Sequence, residues 1–121
     1  MVDQAALVNA VGRERVSNDP ALLDAHAGDV SFCNRIRPGS VVRVGSAADV
    51  QRIIRFANET KTPLVPVSSG APHFRGDTVP GVGGAVIVDL SAMKKIQFVD
   101  RERRVAMCEP GVTFGELIPA A

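Results

Sequence analysis

The sequence predicts an α+β fold in which a small βαβ unit is followed by an antiparallel meander. Residues 41–67 read as strand, helix and strand, because two short apolar runs flank a segment with helical periodicity. Residues 85–108 hold three short apolar runs with no helical segment between them, which is typical of a meander. A long stretch with little helix-forming content, residues 68–84, separates the two parts.

The N-terminal segment, residues 1–36, is predicted to be helical and to precede a domain formed by residues 37–121. Apolar side chains recur at helical spacing over residues 3–11, which predicts a first helix. A second helix is predicted to begin at Asp19, because a capping residue is followed there by Pro20 at the first helical position.

The βαβ unit begins with a β-branched strand over residues 41–44, after which Ser46 caps a helix. The next strand covers residues 64–67, and this order implies a right-handed crossover between two parallel strands. Pro66 has no N–H group to donate, so we expect its strand to lie at an edge. Apolar residues at i, i+3, i+4 and i+7 predict the buried face of the helix: Val50, Ile53, Ile54 and Ala57.

The meander is predicted from strands over residues 85–89, 96–99 and 104–108. A last helix is predicted to begin after Thr113, because Glu116 stands three residues later in the capping-box position.

Composition excludes several classes of function. The chain has 121 residues, 45% of them hydrophobic, and a net charge of +1, which argues against nucleic-acid binding or membrane binding. No secretory signal or membrane-length apolar run is visible, so we expect a cytoplasmic protein. We expect Cys33 and Cys108 to be buried free thiols instead of a disulfide, with Cys108 packed on its strand, although the polar loop around Cys33 also allows that thiol to be exposed. We expect no metal site, since no pair with His26 or His73 has ligand spacing.

The stretch 65–84 carries the chemistry that points to a ligand. Ser68, Ser69, Gly70 and Ala71 offer consecutive N–H groups just after a strand, at the edge of an α/β sheet where phosphates bind. Arg75, with His73, would offset phosphate charge, whereas Asp77 would repel it and is expected to point away. The pattern alone supports an ordinary surface loop equally well.

Two common phosphate motifs are excluded. Gly76 and Gly81 have the separation of a P-loop, but Val82 stands where the lysine should be. Residues 81–84 lack the third glycine of the dinucleotide fingerprint and lead into a strand instead of a helix.

Three spaced motifs resemble the FAD-binding domain of the vanillyl-alcohol oxidase and p-cresol methylhydroxylase superfamily, over residues 37–121. They are Pro63–Pro66 with Ser69, Gly70 and Gly76; Gly84–Val88 continued by Asp89–Ile96; and Glu109–Thr113. The superfamily includes flavin-linked glycolate and D-lactate dehydrogenases. The resemblance implies the first part of a PCMH-type FAD-binding domain.

The resemblance also implies the site residues. The loop would hold the pyrophosphate of FAD through Val67, Ser68, Ser69, Gly70, Ala71, Pro72, His73, Phe74, Arg75 and Gly76. Four further residues would lie near the cofactor: Asp89, Pro110, Gly111 and Val112. Some members attach the flavin to a histidine in this loop, but Pro72 stands at that place here, so we expect non-covalent FAD. No catalytic residue can be assigned.

The function that the resemblance implies is FAD-dependent oxidation of a small alcohol or 2-hydroxy acid. Members of the family are several times longer, so we expect a domain truncated at its C-terminus that is incomplete as a catalyst and that completes its fold as a homo-oligomer or with a second chain. The alternatives are a non-catalytic cofactor-binding or assembly subunit, and a self-associating fragment that binds nothing.

Overall fold

The computed structural model describes residues 3–68 and 72–121, and the strands within these residues form two sheets. The first sheet has the order β1-β2-β4-β3, with β1 at Val16–Ser17, β2 at Ser40–Arg43, β3 at Leu64–Val67 and β4 at Val86–Asp89. The second is an antiparallel hairpin of β5, Ile96–Asp100, and β6, Val105–Cys108. The helices are α1, Gln4–Val11; α2, Pro20–Ala25; α3, Ala47–Thr60; and α4, Phe114–Ala120.

The α+β class is confirmed, and so are the predicted helix starts. Asp19 accepts a hydrogen bond from the N–H of Leu22 at 3.3 Å, and Ser46 accepts one from Asp49 at 3.3 Å. Each helix therefore begins where a side chain satisfies an amide that has no partner inside the helix.

Strand β4 occupies the centre of the first sheet, parallel to β2 on one side and to β3 on the other. The prediction that residues 85–89 belong to the antiparallel meander is wrong; among the described residues, the hairpin is formed by β5 and β6 without β4. A parallel strand that is covered on both faces needs apolar side chains throughout, and every residue of β4 is buried. The predicted parallel relation of β2 and β3 holds, although β4 lies between them, and Pro66 does lie on an edge strand.

This topology explains the length of the loop after β3. Because β3 and β4 are parallel neighbours, the chain must return from the carboxyl end of one to the amino end of the other. Such a crossover takes about a dozen residues or more and is usually a helix. Its described part, residues 72–85, is instead built from turns and bends.

The sheet is covered on both faces. Leu7 of α1 and Ile53 of α3 pack against Val42 and Val88 on one face. On the other face, Leu23 of α2 joins a second cluster: Leu23, Val41, Val67 and Ile87. The N-terminal helices thus share the core of the sheet, and the domain boundary at residue 37 stays a prediction.

The buried face of α3 differs from the predicted one. Ile54 is exposed, whereas Asp49, Ile53, Phe56 and Ala57 are buried. These positions at i, i+4, i+7 and i+8 form one stripe, and Phe56 makes it wide enough to cover α1 and the sheet together.

Asp49 is a buried carboxylate that connects α3 to the N-terminal segment. It accepts a hydrogen bond from the N–H of Gly45 at 3.0 Å and pairs with Arg15 at 3.0 Å and Arg52 at 3.3 Å. The hydrogen bond from Gly45, followed by the charges of the two arginines, outweighs burial and holds the pKa of Asp49 below its ordinary value. The carboxylate therefore stays ionised and anchors the turn between β2 and α3.

The β5–β6 hairpin is largely exposed, and this changes the assignment of the cysteines. Every residue of β6 is exposed, including Cys108, and Cys33 is exposed in the connection after α2. The thiols are free as expected, but the expected burial of Cys108 was wrong, because within the described residues no second layer covers β6.

The described residues contain neither a membrane-spanning helix nor a metal-binding cluster. None of the helices that the structure describes is long and apolar enough to cross a membrane. Across residues 3–68 and 72–121, no three His, Cys, Asp or Glu side chains are grouped so that they would hold a metal ion.

Gly111 joins the hairpin to the first sheet through the turn that follows β4. Its N–H donates to the carbonyl of Met93 at 2.8 Å. A Cβ at position 111 would lie 2.6 Å from the carbonyl oxygen of Ser91, 2.7 Å from that of Met93 and 2.8 Å from that of Leu90. These are main-chain atoms that cannot rotate away, so only glycine fits here.

We therefore expect Gly111→Ala to lower the free energy of unfolding by about 1–3 kcal/mol, the usual effect of forcing an extra carbon into a packed site. Gly81→Ala is the matched control, since among the described residues no atom lies within 4 Å of a Cβ at position 81. It should change the free energy by no more than about 0.5 kcal/mol. Urea unfolding measures both, and equal stabilities of the two variants would contradict the packing role of Gly111.

Candidate cofactor site

A cavity of about 530 Å³ lies between the described part of the crossover loop and the turn that precedes α4. It is lined by His73, Phe74, Arg75, Asp77, Cys108, Val112, Thr113, Phe114 and Leu117. The fold thus brings together two segments that are more than thirty positions apart in the sequence and that were both predicted to bind the cofactor.

On the loop side, Arg75 supplies the positive charge. Its guanidinium carbon lies 5.6 Å from the centre of the Phe74 ring, an arrangement in which the ring attracts the cation. Within the part of the chain that the structure describes, no carboxylate forms an ion pair with Arg75. Asp77 also lines the cavity, so the expectation that it points away was wrong; Gly76 turns the chain just before it, with a φ of +77°.

On the opposite side, Thr113 and Glu116 form the predicted capping box. Thr113 accepts a hydrogen bond from the N–H of Glu116 at 3.3 Å, and the Glu116 carboxylate accepts one from the N–H of Thr113 at 3.4 Å. Lys94 donates to Glu116 at 2.8 Å, and this contact lowers the pKa of the Glu116 carboxyl. The start of α4 is therefore fixed, and with it the apolar wall made by Val112, Phe114 and Leu117.

Asp89, at the carboxyl end of β4, lies outside this cavity and supports the sheet. Its carboxylate accepts hydrogen bonds from the N–H of Ser91 at 2.9 Å and from Arg43 at 3.3 Å. Burial alone would raise its pKa, but the hydrogen bonds from Ser91 and the charge of Arg43 outweigh it and lower the pKa.

Other predicted residues also lie away from the cavity wall or have their N–H groups occupied. Val67 is buried in the core, and Gly76 donates its N–H to the carboxylate of Asp29 at 2.7 Å. The N–H of Gly111 is held by Met93, as described above. Ser68, Pro72 and Pro110 are exposed, and the predicted residues Ser69, Gly70 and Ala71 lie outside the described residues.

Sequence reasoning missed three kinds of residue here. It did not find Asp29, because nothing in the sequence shows which distant amide a surface carboxylate will accept. It assigned Cys108 to a core, and it did not connect Phe114 and Leu117 with the loop. The apolar positions that follow Thr113 at helical spacing are the signal that α4 would present a wall to a neighbouring segment.

The donor set of the cavity fits an anionic group beside an aromatic one. A guanidinium, an imidazole and a hydroxyl line it, together with the apolar side chains of Val112, Phe114 and Leu117. Elsewhere in the crossover loop, the main chain of Gly81 and Gly83 is open: no described atom lies within 4 Å of a Cβ at either position. A phosphate-bearing ligand could approach the backbone closely at these residues.

Comparisons with known proteins place the chain in a family. The FAD binding domain family matches residues 38–121. The 1'-carboxy-chondrochloren decarboxylase of Chondromyces crocatus is 34% identical over 114 residues, which cover 94% of this chain and 21% of that protein. The flavoprotein subunit of 4-cresol dehydrogenase (hydroxylating) from Pseudomonas putida is 38% identical over 80 residues, 66% of this chain and 15% of the relative.

The fold agrees with a solved structure of this group. The crystal structure of p-cresol methylhydroxylase with substrate bound superposes with a TM-score of 0.81 at 29% identity, over 98% of this chain and 25% of that one. The chain thus spans a quarter or less of the length of each of these proteins. It belongs to the FAD binding domain family, within the superfamily of p-cresol methylhydroxylase and vanillyl-alcohol oxidase.

Proposed function

We propose that the chain is the FAD-binding portion of a flavin-dependent oxidoreductase that acts on a small alcohol or a 2-hydroxy acid. The observation that supports this most is the cavity in which Arg75 and His73 of the loop face Val112 and Thr113 of the turn. Both segments belong to the region that the FAD binding domain family matches.

We further propose that catalysis needs more protein than this chain. The relatives that share this region include a decarboxylase and a dehydrogenase by name. Proteins with different reactions thus share a part that spans a quarter or less of their length, which is expected if this part holds the cofactor and other parts select the substrate.

The residues that would hold the cofactor can be assigned by chemistry. Arg75 would pair with the pyrophosphate, because a guanidinium forms charge-assisted hydrogen bonds to phosphate oxygens. The loop from Val67 to Gly76 would supply main-chain donors, with two exceptions: Pro72 has no N–H group, and the N–H of Gly76 is held by Asp29. The apolar wall at Val112 would exclude water from the flavin side. When bound, FAD supplies the redox chemistry by accepting a hydride from the substrate.

We propose that FAD is bound without a covalent link. His73 is half-buried and its carbonyl accepts a hydrogen bond from the N–H of Val30 at 3.1 Å, so its backbone is fixed one position beyond the place where a linked histidine is expected. Acid precipitation of the FAD-loaded chain should therefore leave all flavin absorbance in the supernatant. Flavin that stays with the precipitated chain would show a covalent bond.

Three expectations stay predictions: the partner, the non-catalytic alternative and the cellular location. A homo-oligomer or a second chain that completes the fold is supported by exposed apolar side chains on α4, where Phe114 is 80% and Ile118 is 70% exposed. A non-catalytic cofactor-binding or assembly role and a cytoplasmic location rest on the sequence alone.

Substitution of Arg75 tests the proposed function. We expect Arg75→Ala to weaken FAD binding about tenfold, the factor that corresponds to one charge-assisted hydrogen bond. Riboflavin has no pyrophosphate, so its affinity should stay the same. Quenching of flavin fluorescence on titration with the chain measures both affinities.

Arg55→Ala is the matched control, since it removes the same charge from an exposed position of α3, outside the cavity. It should leave the FAD affinity unchanged. A wild-type chain that does not quench FAD would refute the proposed function, and an equal loss of FAD and riboflavin affinity in Arg75→Ala would refute the assigned role of Arg75.

A further inference from the structure

The connection after α2 contacts the cofactor loop through one carboxylate. Asp29 accepts a hydrogen bond from the N–H of Gly76 at 2.7 Å on one oxygen and from the N–H of Ser31 at 2.8 Å on the other. Cys33 adds its thiol at 3.6 Å. Hydrogen bonds from Ser31, followed by those from Gly76 and Cys33, lower the pKa of Asp29, so the carboxylate is ionised near neutral pH.

Asp29 lies in a loop whose two ends, Ala27 and Ile36, are joined by a hydrogen bond. The N–H of Ile36 donates to the carbonyl of Ala27 at 2.9 Å, so residues 27–36 form a compact Ω-type loop. A second contact joins the end of this loop to α2, because Arg37 pairs with the carboxylate of Asp24 at 2.9 Å. Asp29 is thus presented from a fixed support that precedes the region matched by the FAD binding domain family.

Two contacts from this support bracket the arginine of the cavity. The N–H of Val30 donates to the carbonyl of His73, and the carboxylate of Asp29 accepts from Gly76. Between these two attachment points lie Phe74 and Arg75, which line the cavity and are themselves exposed. The direction in which Arg75 points therefore depends on both ends of a short segment.

Gly76 is closely fitted against the same support. Its φ of +77° is a conformation that L side chains rarely adopt, and a Cβ there would lie 3.3 Å from Cβ of Cys33 and 3.4 Å from Oγ of Ser31. Gly76 lies outside any helix or strand, and the acceptor for its N–H group is the carboxylate of Asp29.

We propose that Asp29 is a positioning residue for the cofactor: by holding Gly76, its carboxylate fixes residues 73–77 in the conformation that directs Arg75 into the cavity. This inference rests on the proposed function. It also assigns a role in cofactor binding to the N-terminal segment, outside the matched domain.

The charge of Asp29 makes it possible to test the proposal by the direction in which the FAD affinity changes. A carboxylate beside a site for an anion opposes binding through its charge, so removal of the charge alone would tighten FAD binding. Asp77 provides the matched comparison, because it is a carboxylate that lines the same cavity, and the structure gives it no side-chain hydrogen bond to another described residue. If removal of the Asp29 carboxylate weakens FAD binding and removal of the Asp77 carboxylate does not, Asp29 acts by positioning the loop and not through its charge.

The experiment compares the wild-type chain with Asp29→Ala, Asp77→Ala, Arg75→Ala and the double variant Asp29→Ala/Arg75→Ala in FAD titrations. We expect Asp29→Ala to weaken FAD binding about tenfold, as loss of one charge-assisted hydrogen bond would, and Asp77→Ala to leave it unchanged or tighter. Because Asp29 acts through Arg75, the double variant should bind FAD no more weakly than Arg75→Ala alone. Amide hydrogen exchange should become faster at Gly76 in Asp29→Ala while the amides of β4 keep their protection.

Several results would overturn the proposal. An Asp29→Ala chain that binds FAD as tightly as the wild type, or more tightly, would show that the contact does not position the loop. Additive losses in the double variant, or faster exchange in β4 as well as at Gly76, would show a general loss of structure instead. A wild-type chain that does not bind FAD would refute the proposed function itself and, with it, a cofactor role for Asp29.

Discussion

The parallel pairing of β4 with both β2 and β3 is the constraint on which the rest of this structure depends. It places a strand with four buried residues, Val86–Asp89, at the centre of the sheet, where helices on both faces can cover it. It also requires the chain to cross from one end of the sheet to the other after β3. The long loop is therefore needed by the topology before any ligand is considered, and the use of turns instead of a helix leaves its main chain accessible.

The same constraint determines where the candidate site forms. After β4, the chain turns at residues 90–93 and forms the exposed β5–β6 hairpin, and Gly111 then packs directly on the carbonyls of that turn. The hydrogen bond from Gly111 to Met93 holds the segment that follows close to the first sheet, and the absence of a side chain at Gly111 permits this close approach. Thr113 begins α4 there, and its neighbours face the crossover loop across the cavity. The site is thus assembled from two connections whose positions the sheet dictates.

Local signals in the sequence predicted local structure well. Asp19, Ser46 and Thr113 begin helices as expected, because a cap depends only on the three or four residues that follow it. The pairing of β4 was not predicted, although a signal was present: Val86, Ile87 and Val88 form a continuous apolar run, which indicates burial on both faces instead of the alternation of a half-exposed strand. The exposure of Cys108 could not be read from its strand, since exposure depends on what packs over β6.

In the candidate site, too, the residues within sequence motifs were predicted and the contacts between distant residues were not. His73, Phe74, Arg75 and Val112 were named from motifs and do line one cavity. The hydrogen bond from Gly76 to Asp29 was not predicted, because the two residues are far apart in the sequence and their contact depends on how the loop after α2 folds. A motif identifies which segments bind a cofactor, whereas the residues that fix those segments in place become visible only in three dimensions.

The central claim is that the crossover loop and the turn before α4 form one site for FAD. Hydrogen exchange with and without saturating FAD tests it most directly, because it reports on each segment separately. We expect FAD to slow exchange in peptides that cover residues 68–77 and 110–114 and to leave α1 and α3 unchanged. Protection confined to α1 and α3, or to only one of the two segments, would contradict the claim.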